Sequence, residues 1–370
     1  MTEAKVYYSD MRAHGRSLLS KLRRLMKEAG FESIDFDGKF VAVKIHFGEP
    51  GNLAYLRPNW AAEVCDYIRE LGGKPFLTDC NTLYVGGRKN ALDHLDSAYK
   101  NGYNPFQTGV HTIIADGLKG TDEALIPVEG GEYVKEAKIG RALADADIII
   151  SLSHFKGHEQ TGFGGALKNL GMGGGSRAGK MEMHSAGKPF VKQKKCIGCG
   201  ACARICAHGA PIIEGGKCTI DQDRCVGCGR CIGVCPKDAV TPANDEAFEI
   251  LGCKIAEYAK AVCQGKPHFH ISLAVDISPY CDCHAENDAA VTPDIGFFAS
   301  FDPVALDQAC ADAVNKAPAI SGTYLTDKLH ENGADADHFH AMHPDTKWRV
   351  MLEHAEKLGI GTRGYELIEV

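Results

Sequence analysis

Apolar residues in the first part of the chain recur with two alternating periods. AKVYYSD, KFVAVKIHFG, KPFLTDC, VHTIIAD and DIIISLSHF are short runs with the apolar density of buried strands. Between them, SLLSKLRRLMKEAG, PNWAAEVCDYIRELGG, RKNALDHLDSAYKNGY and KIGRALADA carry apolar residues at helical spacing. Gly30 and Gly72 close two of these helices, and Pro58 opens one. Strands alternating with helices predict a mostly parallel sheet flanked by helices on both faces. After a cysteine-rich interruption the pattern resumes. DEAFEILGCKIAEYAKAVCQG predicts a long amphipathic helix, HFHISLAVDIS and DIGFFAS predict strands, and DPVALDQACADAV predicts a helix capped by Asp302 with Pro303 at its first position. The expected architecture is one α/β domain, residues 1–188 and 243–370, carrying an inserted α+β domain at 189–242.

The insert contains C-x2-C-x2-C-x3-C twice: Cys196, Cys199, Cys202 and Cys206, then Cys225, Cys228, Cys231 and Cys235, followed by Pro236. Three sulfurs at this spacing wrap one [4Fe–4S] cluster, and the fourth of each run ligates the other cluster. Cluster I is therefore expected on Cys196, Cys199, Cys202 and Cys235, and cluster II on Cys225, Cys228, Cys231 and Cys206. Zinc takes four ligands, usually as paired C-x2-C, which fits eight cysteines in this pattern poorly. Disulfides fit no better, because sulfurs two and three residues apart have little loop to close. The segment resembles a bacterial two-cluster ferredoxin, with Ala207 where the first run would usually carry proline.

Open α/β sheets bind ligands beyond the C-terminal ends of their strands. His46 and Glu49, then Thr78, Asp79, Cys80 and Asn81, then Ser153, His154, Lys156 and His158, and finally Cys281, Cys283 and His284 stand at four such ends. The glycine-rich piece SHFKGHEQTGFGGALKNLGMGGG permits close backbone approach to a ligand. It predicts a cleft with His154, His158, Lys168 and His184 as catalytic candidates and Gly164, Gly165 and Asn169 as cofactor-binding candidates. A desolvated lysine there is a usable nucleophile or acid. Cys281, Cys283 and His284 in the CDCH tetrapeptide can supply soft ligands to a further metal. Histidines 338, 340 and 343 are expected on a surface loop, and Cys65, Cys253, Cys263 and Cys310 as small core residues.

A net charge of −7 over 370 residues lacks the basic face of a nucleic-acid binder. Arg177, Lys180, Lys188, Lys192, Lys194 and Lys195 gather before the first cluster cysteine, as a solvated linker or a docking patch for an acidic carrier. No apolar run reaches membrane-span length, MTEAKVYYSD lacks the basic and apolar regions expected of a signal peptide, and the 16 cysteines predict a reducing cytoplasm. Low-potential clusters fit an anaerobe.

KIHFGE, SHFKGH with GALKN, the dicluster insert, CDCH and DIGFFASFDPVALD together resemble the prokaryotic family called "domain of unknown function 362", in its ferredoxin-containing form. The resemblance spans nearly the whole chain and implies a redox-linked iron–sulfur protein. His158, Lys168 and His184, with GFGGALK between the first two, are also similar to the histidine–lysine–histidine pattern of nickel-pincer lactate racemases. In that family the lysine holds the cofactor covalently and a histidine ligates nickel, but its N-terminal signatures are not evident here. Three functions follow as expectations. One is an oxidoreductase in which the clusters relay electrons from a soluble carrier of ferredoxin or flavodoxin type to a substrate or second cofactor in the cleft. The others are a non-enzymatic electron carrier or adaptor, and a metal or cluster assembly factor.

Overall fold

The computed structural model describes residues 3–83, 86–184, 188–227, 229–242, 248–332 and 337–370. Its centre is an eight-stranded sheet. The strands are β1 (Ala4–Asp10), β2 (Phe40–Lys44), β3 (Lys74–Asp79), β4 (Thr112–Ile114), β5 (Ile148–His154), β6 (His268–Ala274), β7 (Gly296–Ser300) and β8 (Tyr365–Glu369). Their order is β8-β1-β7-β6-β5-β2-β3-β4. From β4 through β3, β2 and β5 to β6 every pairing is parallel. Only β7 opposes its neighbours, β6 and β1. It returns from β6 without a crossover helix, a connection that antiparallel strands allow and parallel ones do not.

The helices that matter for the core and the site include α1 (Leu18–Glu28), α2 (Pro58–Glu70), α3 (Ala91–Lys100), α4 (Ala166–Gly174), α5 (Arg177–His184), α6 (Phe248–Cys263), α7 (Pro303–Lys316) and α8 (Trp348–Lys357). Alternation along the strands divides the core. Val41 and Val43 pack with Leu22, Leu25, Trp60 and Val64 of α1 and α2, while Ala42 between them faces α4, α6, α7 and α8. The caps form as their residue types require: Asp302 Oδ1 accepts from the amides of Val304 (2.8 Å) and Ala305 (2.9 Å), and Gly30 beyond α1 has φ +86°.

Three local expectations change. KIGRALADA is not one helix: Glu136–Gly140 pairs as a strand with Glu123–Pro127, and only Arg141–Asp145 is helical. Helix α6 is buried on nearly all sides instead of showing one wet face, because α4 and α8 both pack on it. His338, His340 and His343 lie on and just after a short helix, His338–Met342, not on a surface loop. His343 is buried with Nε2 on the Pro279 carbonyl (2.8 Å), and none of the three joins a metal-ligating group among the described residues.

Between Lys188 and Pro242 two small hairpin-like sheets, Pro189–Val191 with Val240–Pro242 and Pro211–Glu214 with Lys217–Ile220, stand outside the central sheet. They enclose a separate core of Cys196, Cys202, Cys218, Cys231, Ile232 and Val240, to which Leu83 and Met181 contribute from outside the segment. No helix among the described residues is long and apolar enough to cross a membrane.

Candidate functional site

Strands β2, β3, β5 and β6 run in parallel, so the chain leaves all four at one edge of the sheet. A cavity of about 340 Å³ opens there. Lys44 and His46 reach it from β2, Asp79 and Cys80 from β3, and His154, Lys156 and His158 from β5. Cys281, Cys283 and His284 come from the loop after β6, Gly164, Gly165, Lys168 and Asn169 from the glycine-rich turn and α4, and Lys180 and His184 from α5. The catalytic, cofactor-binding and CDCH candidates of the sequence thus line one cavity, together with His46, Asp79, Cys80 and Lys156, whereas Glu49, Thr78, Asn81 and Ser153 are not among its lining residues.

Two glycines make the placement of α4 sterically possible. A Cβ on Gly165 would lie 2.7 Å from Asp307 Cγ, so glycine lets that buried carboxylate reach the helix start. There Asp307 accepts from the amides of Ala166 (2.6 Å) and Leu167 (2.9 Å). Burial nevertheless raises its pKa to about 7. At Gly173 a Cβ would lie 2.7 Å from Lys44 Cε, and the lysine runs through the space left free.

The cavity floor is a set of buried ion pairs. Lys44 Nζ meets Asp79 Oδ1 at 2.9 Å and donates to Asn169 Oδ1 at 2.8 Å, while Asn169 Nδ2 donates to the Lys44 carbonyl at 2.9 Å. Burial opposes ionisation of Asp79, but Lys44, His46 and His94 hold its carboxyl well below the usual range. Arg88 Nε pairs with Glu49 Oε2 at 2.7 Å. Burial, reinforced by Arg88, depresses His46 to about 3. Asp282 binds His154 Nδ1 (2.9 Å) and Lys156 Nζ (3.3 Å), and Val275 O faces His154 Nε2 at 2.7 Å. With an acceptor at each ring nitrogen, His154 is tied into this framework and keeps no ring nitrogen for a ligand.

The reactive groups stand above that floor. Lys168 Nζ lies 3.7 Å from Cys281 Sγ. A hydrogen bond from Cys283 is the largest influence holding the Cys281 thiol well below its ordinary range; burial opposes it, and Lys168 and Lys156 assist. The same bond, with burial, raises Cys283. His158 Nδ1 accepts from the amides of Gln160 (3.1 Å) and Thr161 (3.3 Å), which leaves the neutral ring's proton on Nε2. His158, Cys281 and Cys283 offer ligand atoms within 4.8 Å of one another, as do Glu159, Cys283 and His284. Cysteine and histidine in such groups can hold a soft or borderline metal ion. Glu159 is fixed by His284 Nε2 at 2.9 Å. His184 is buried and depressed to about 3, by burial first and then by Lys168 and His158.

Lys44, Arg88, Glu159 and Asp282 are the cavity groups that sequence reasoning passed over. Lys44 did leave a signal, since a lysine inside an otherwise apolar strand is buried only when paired. Arg177 and Lys180, grouped above with a solvated linker, are buried on α5, whereas Lys192, Lys194 and Lys195 are exposed.

In the cysteine-rich segment, Cys196, Cys199, Cys202 and Cys235 line one small apolar cleft, which brings together the crossed set expected for cluster I. The donors around it suit thiolate ligands: Cys196 Sγ faces the amides of Cys218 (3.3 Å) and Gly198 (3.5 Å), and Cys235 Sγ faces that of Ala239 (3.2 Å). No disulfide joins any of the described cysteines. Cys206 and Cys225 are half-buried and Cys231 is buried, while Cys228 lies outside the described residues. Helix α5 separates this segment from the cavity. Arg177 packs against Gly229 and Gly233, and Met181 joins the cysteine core; Lys180 and His184 line the cavity.

Similarity to known proteins is partial except at the family level. A thylakoid-associated protein of Synechocystis is 27% identical over 164 residues, which are 42% of this chain and 45% of that protein. The chain therefore matches less than half the length of this curated relative. The lactate racemase apoprotein of Thermoanaerobacterium thermosaccharolyticum is 12% identical with a TM-score of 0.41, covering 74% of this chain and 51% of that one. A Thermotoga maritima protein solved by a structural genomics consortium is 13% identical with a TM-score of 0.38, covering 80% of this chain and 58% of its own. The family described as "Domain of unknown function (DUF362)" matches residues 41–312, and with most of its length inside that match this chain belongs to the family.

Proposed function

We propose that this chain is an iron–sulfur redox protein in which a substrate or second cofactor in the strand-end cavity exchanges electrons with two [4Fe–4S] clusters. The observation that carries the reading is the double-sided helix α5, with Met181 in the cysteine core and Lys180 and His184 in the cavity wall. An α-helix is about 10–12 Å across with its side chains, so the two sites are separated by a single layer of protein. Cys196, Cys199, Cys202 and Cys235 would hold one cluster, and Cys225, Cys228, Cys231 and Cys206 the other. Bound there, the clusters supply one-electron chemistry at negative potential.

The cavity residues divide the remaining work. The buried Lys44–Asp79 and His154–Asp282–Lys156 pairs fix the floor. Lys168 and the Nε2–H of His158 are directed donors that would hold a carbonyl or carboxylate oxygen beside Cys281. Exposed Lys192, Lys194 and Lys195, just before Cys196, suit an acidic soluble carrier of ferredoxin or flavodoxin type. Residues 189–242 would then be an insert in the α/β domain, and a chain lacking 190–241 should fold without iron.

Lys168→Ala and His158→Ala, purified anaerobically, test the assignment. Both should abolish turnover of a cleft substrate while iron content and the reduced-cluster spectrum stay unchanged. Full activity in both variants would refute the cleft as the active site, and unimpaired reduction of a partner protein would favour a plain electron carrier.

A further inference from the structure

A second group of soft ligands lies at the opposite end of the sheet from the cavity. β6 begins with His268 and His270, two residues apart and hence on one face. Cys263 ends α6 above them. His268 Nδ1 and His270 Nε2 face each other at 2.8 Å, and the other nitrogen of His270 is engaged by Ser151 Oγ at 2.9 Å. The ligand atoms of Cys263, His268 and His270 all lie within 4.8 Å of one another. A cavity of about 290 Å³, bordered by Lys260, Cys263, Gln264, Lys266, His268 and Ile360, opens onto the group.

We propose that Cys263, His268 and His270 form a binding site for a zinc-type divalent cation, with its fourth coordination position open to this cavity. Tetrahedral zinc places two imidazole nitrogens about 3.3 Å apart and a thiolate sulfur slightly farther off, given bond lengths of about 2.0–2.1 Å to nitrogen and 2.3 Å to sulfur. The two nitrogens, 2.8 Å apart, would need to part by about half an ångström, and the sulfur, within 4.8 Å of both, to close by at most roughly 1 Å. With His270 Nδ1–H donating to Ser151 Oγ, its Nε2 lone pair points at the site, the outer-shell arrangement typical of a metal-bound histidine. His268 binds through Nδ1 once its proton moves to Nε2 on the cavity side. Burial keeps the Cys263 thiol protonated, pushing it up to about 12, so metal binding releases one proton. The nearby ammonium groups are already engaged: Lys260 donates to the carbonyls of Glu129 and Leu358, and Lys266 to those of Leu143, Ala144 and Ala146.

The competing structure is a histidine pair that only fills the core. Crystals of the anaerobically purified full chain, grown with zinc in slight excess, separate the two through anomalous maps recorded above and below the zinc edge. A peak bonded to Cys263 Sγ, His268 Nδ1 and His270 Nε2 is expected, and its absence overturns the proposal. In solution, a Cys283→Ser background that disables the other thiol–histidine groups should retain about one zinc ion per chain after dialysis, the stoichiometry of a single tetrahedral site. Adding His268→Ala should remove it, and unchanged zinc content would also overturn the proposal. The wild-type map decides the question even if a variant fails to fold. Neither measurement depends on the redox function.

Discussion

Asp307→Asn tests how the chain holds the helix that carries Lys168 and Asn169. Asp307 is fully buried, and its two oxygens accept the first amides of α4. Burial raises its pKa from 3.8 to about 7. A raised carboxyl binds its proton more tightly in the folded than in the unfolded chain. Its contribution to stability is therefore complete below pH 3.8 and is lost as pH rises through 7. Each pH unit inside that window costs about 1.4 kcal/mol, so going from pH 5 to pH 8 should cost the wild type up to about 3 kcal/mol at this residue. Asparagine has no charge to bury and keeps one acceptor oxygen for the helix start. Urea unfolding of both proteins at pH 5 and pH 8, under anaerobic conditions, isolates the effect because all other titrating groups cancel in the difference. The variant should gain on the wild type as pH rises, and protection of the Ala166 and Leu167 amides from hydrogen exchange should show the same trend. A stability difference that does not change between pH 5 and pH 8 would refute the argument.

Other perturbations probe other parts of the site. Gly165→Ala should destabilise the chain by about 1–3 kcal/mol or more, measured by urea unfolding, because the new methyl group overlaps the Asp307 carboxylate. Lys44→Met removes one partner of a buried pair and should cost about 3–5 kcal/mol by the same assay, since Asp79 loses its nearest cation and keeps the more distant Arg88 at 3.9 Å. Cys206→Ser should lower anaerobic iron content from about eight to about four atoms per chain and remove the signal of the cluster headed by Cys225. Loss of the Cys196-headed cluster instead would show that the crossed ligation is wrong.

Local chemistry in the sequence was enough for β1 to β7, for α1, α2, α3, α6 and α7 with several of their caps, and for a cleft at the strand ends, but not for α4, α5, α8 or β8. Period, glycine, proline and N-cap signals act over a few residues, and parallel strand ends must gather at one edge. Five cysteines line the apolar cleft; spacing singled out Cys196, Cys199, Cys202 and Cys235, but not Cys218. The partners inside the site did not, because they are brought together from far apart in the chain. Asp307 reaches an amide 140 residues away, and Lys44 and Asn169 are separated by 125. A lone aspartate in a helical stretch has no local mark of a distant helix end that needs an acceptor. The same holds for α5: the sequence shows a basic run, and only packing turns Met181 toward the cysteines and Lys180 toward the cavity. KIGRALADA has helical periodicity over its length, but its first half becomes a strand because EALIP supplies a free edge for pairing. Composition and period determine what each segment can be, and long-range packing decides which neighbour fixes its final form.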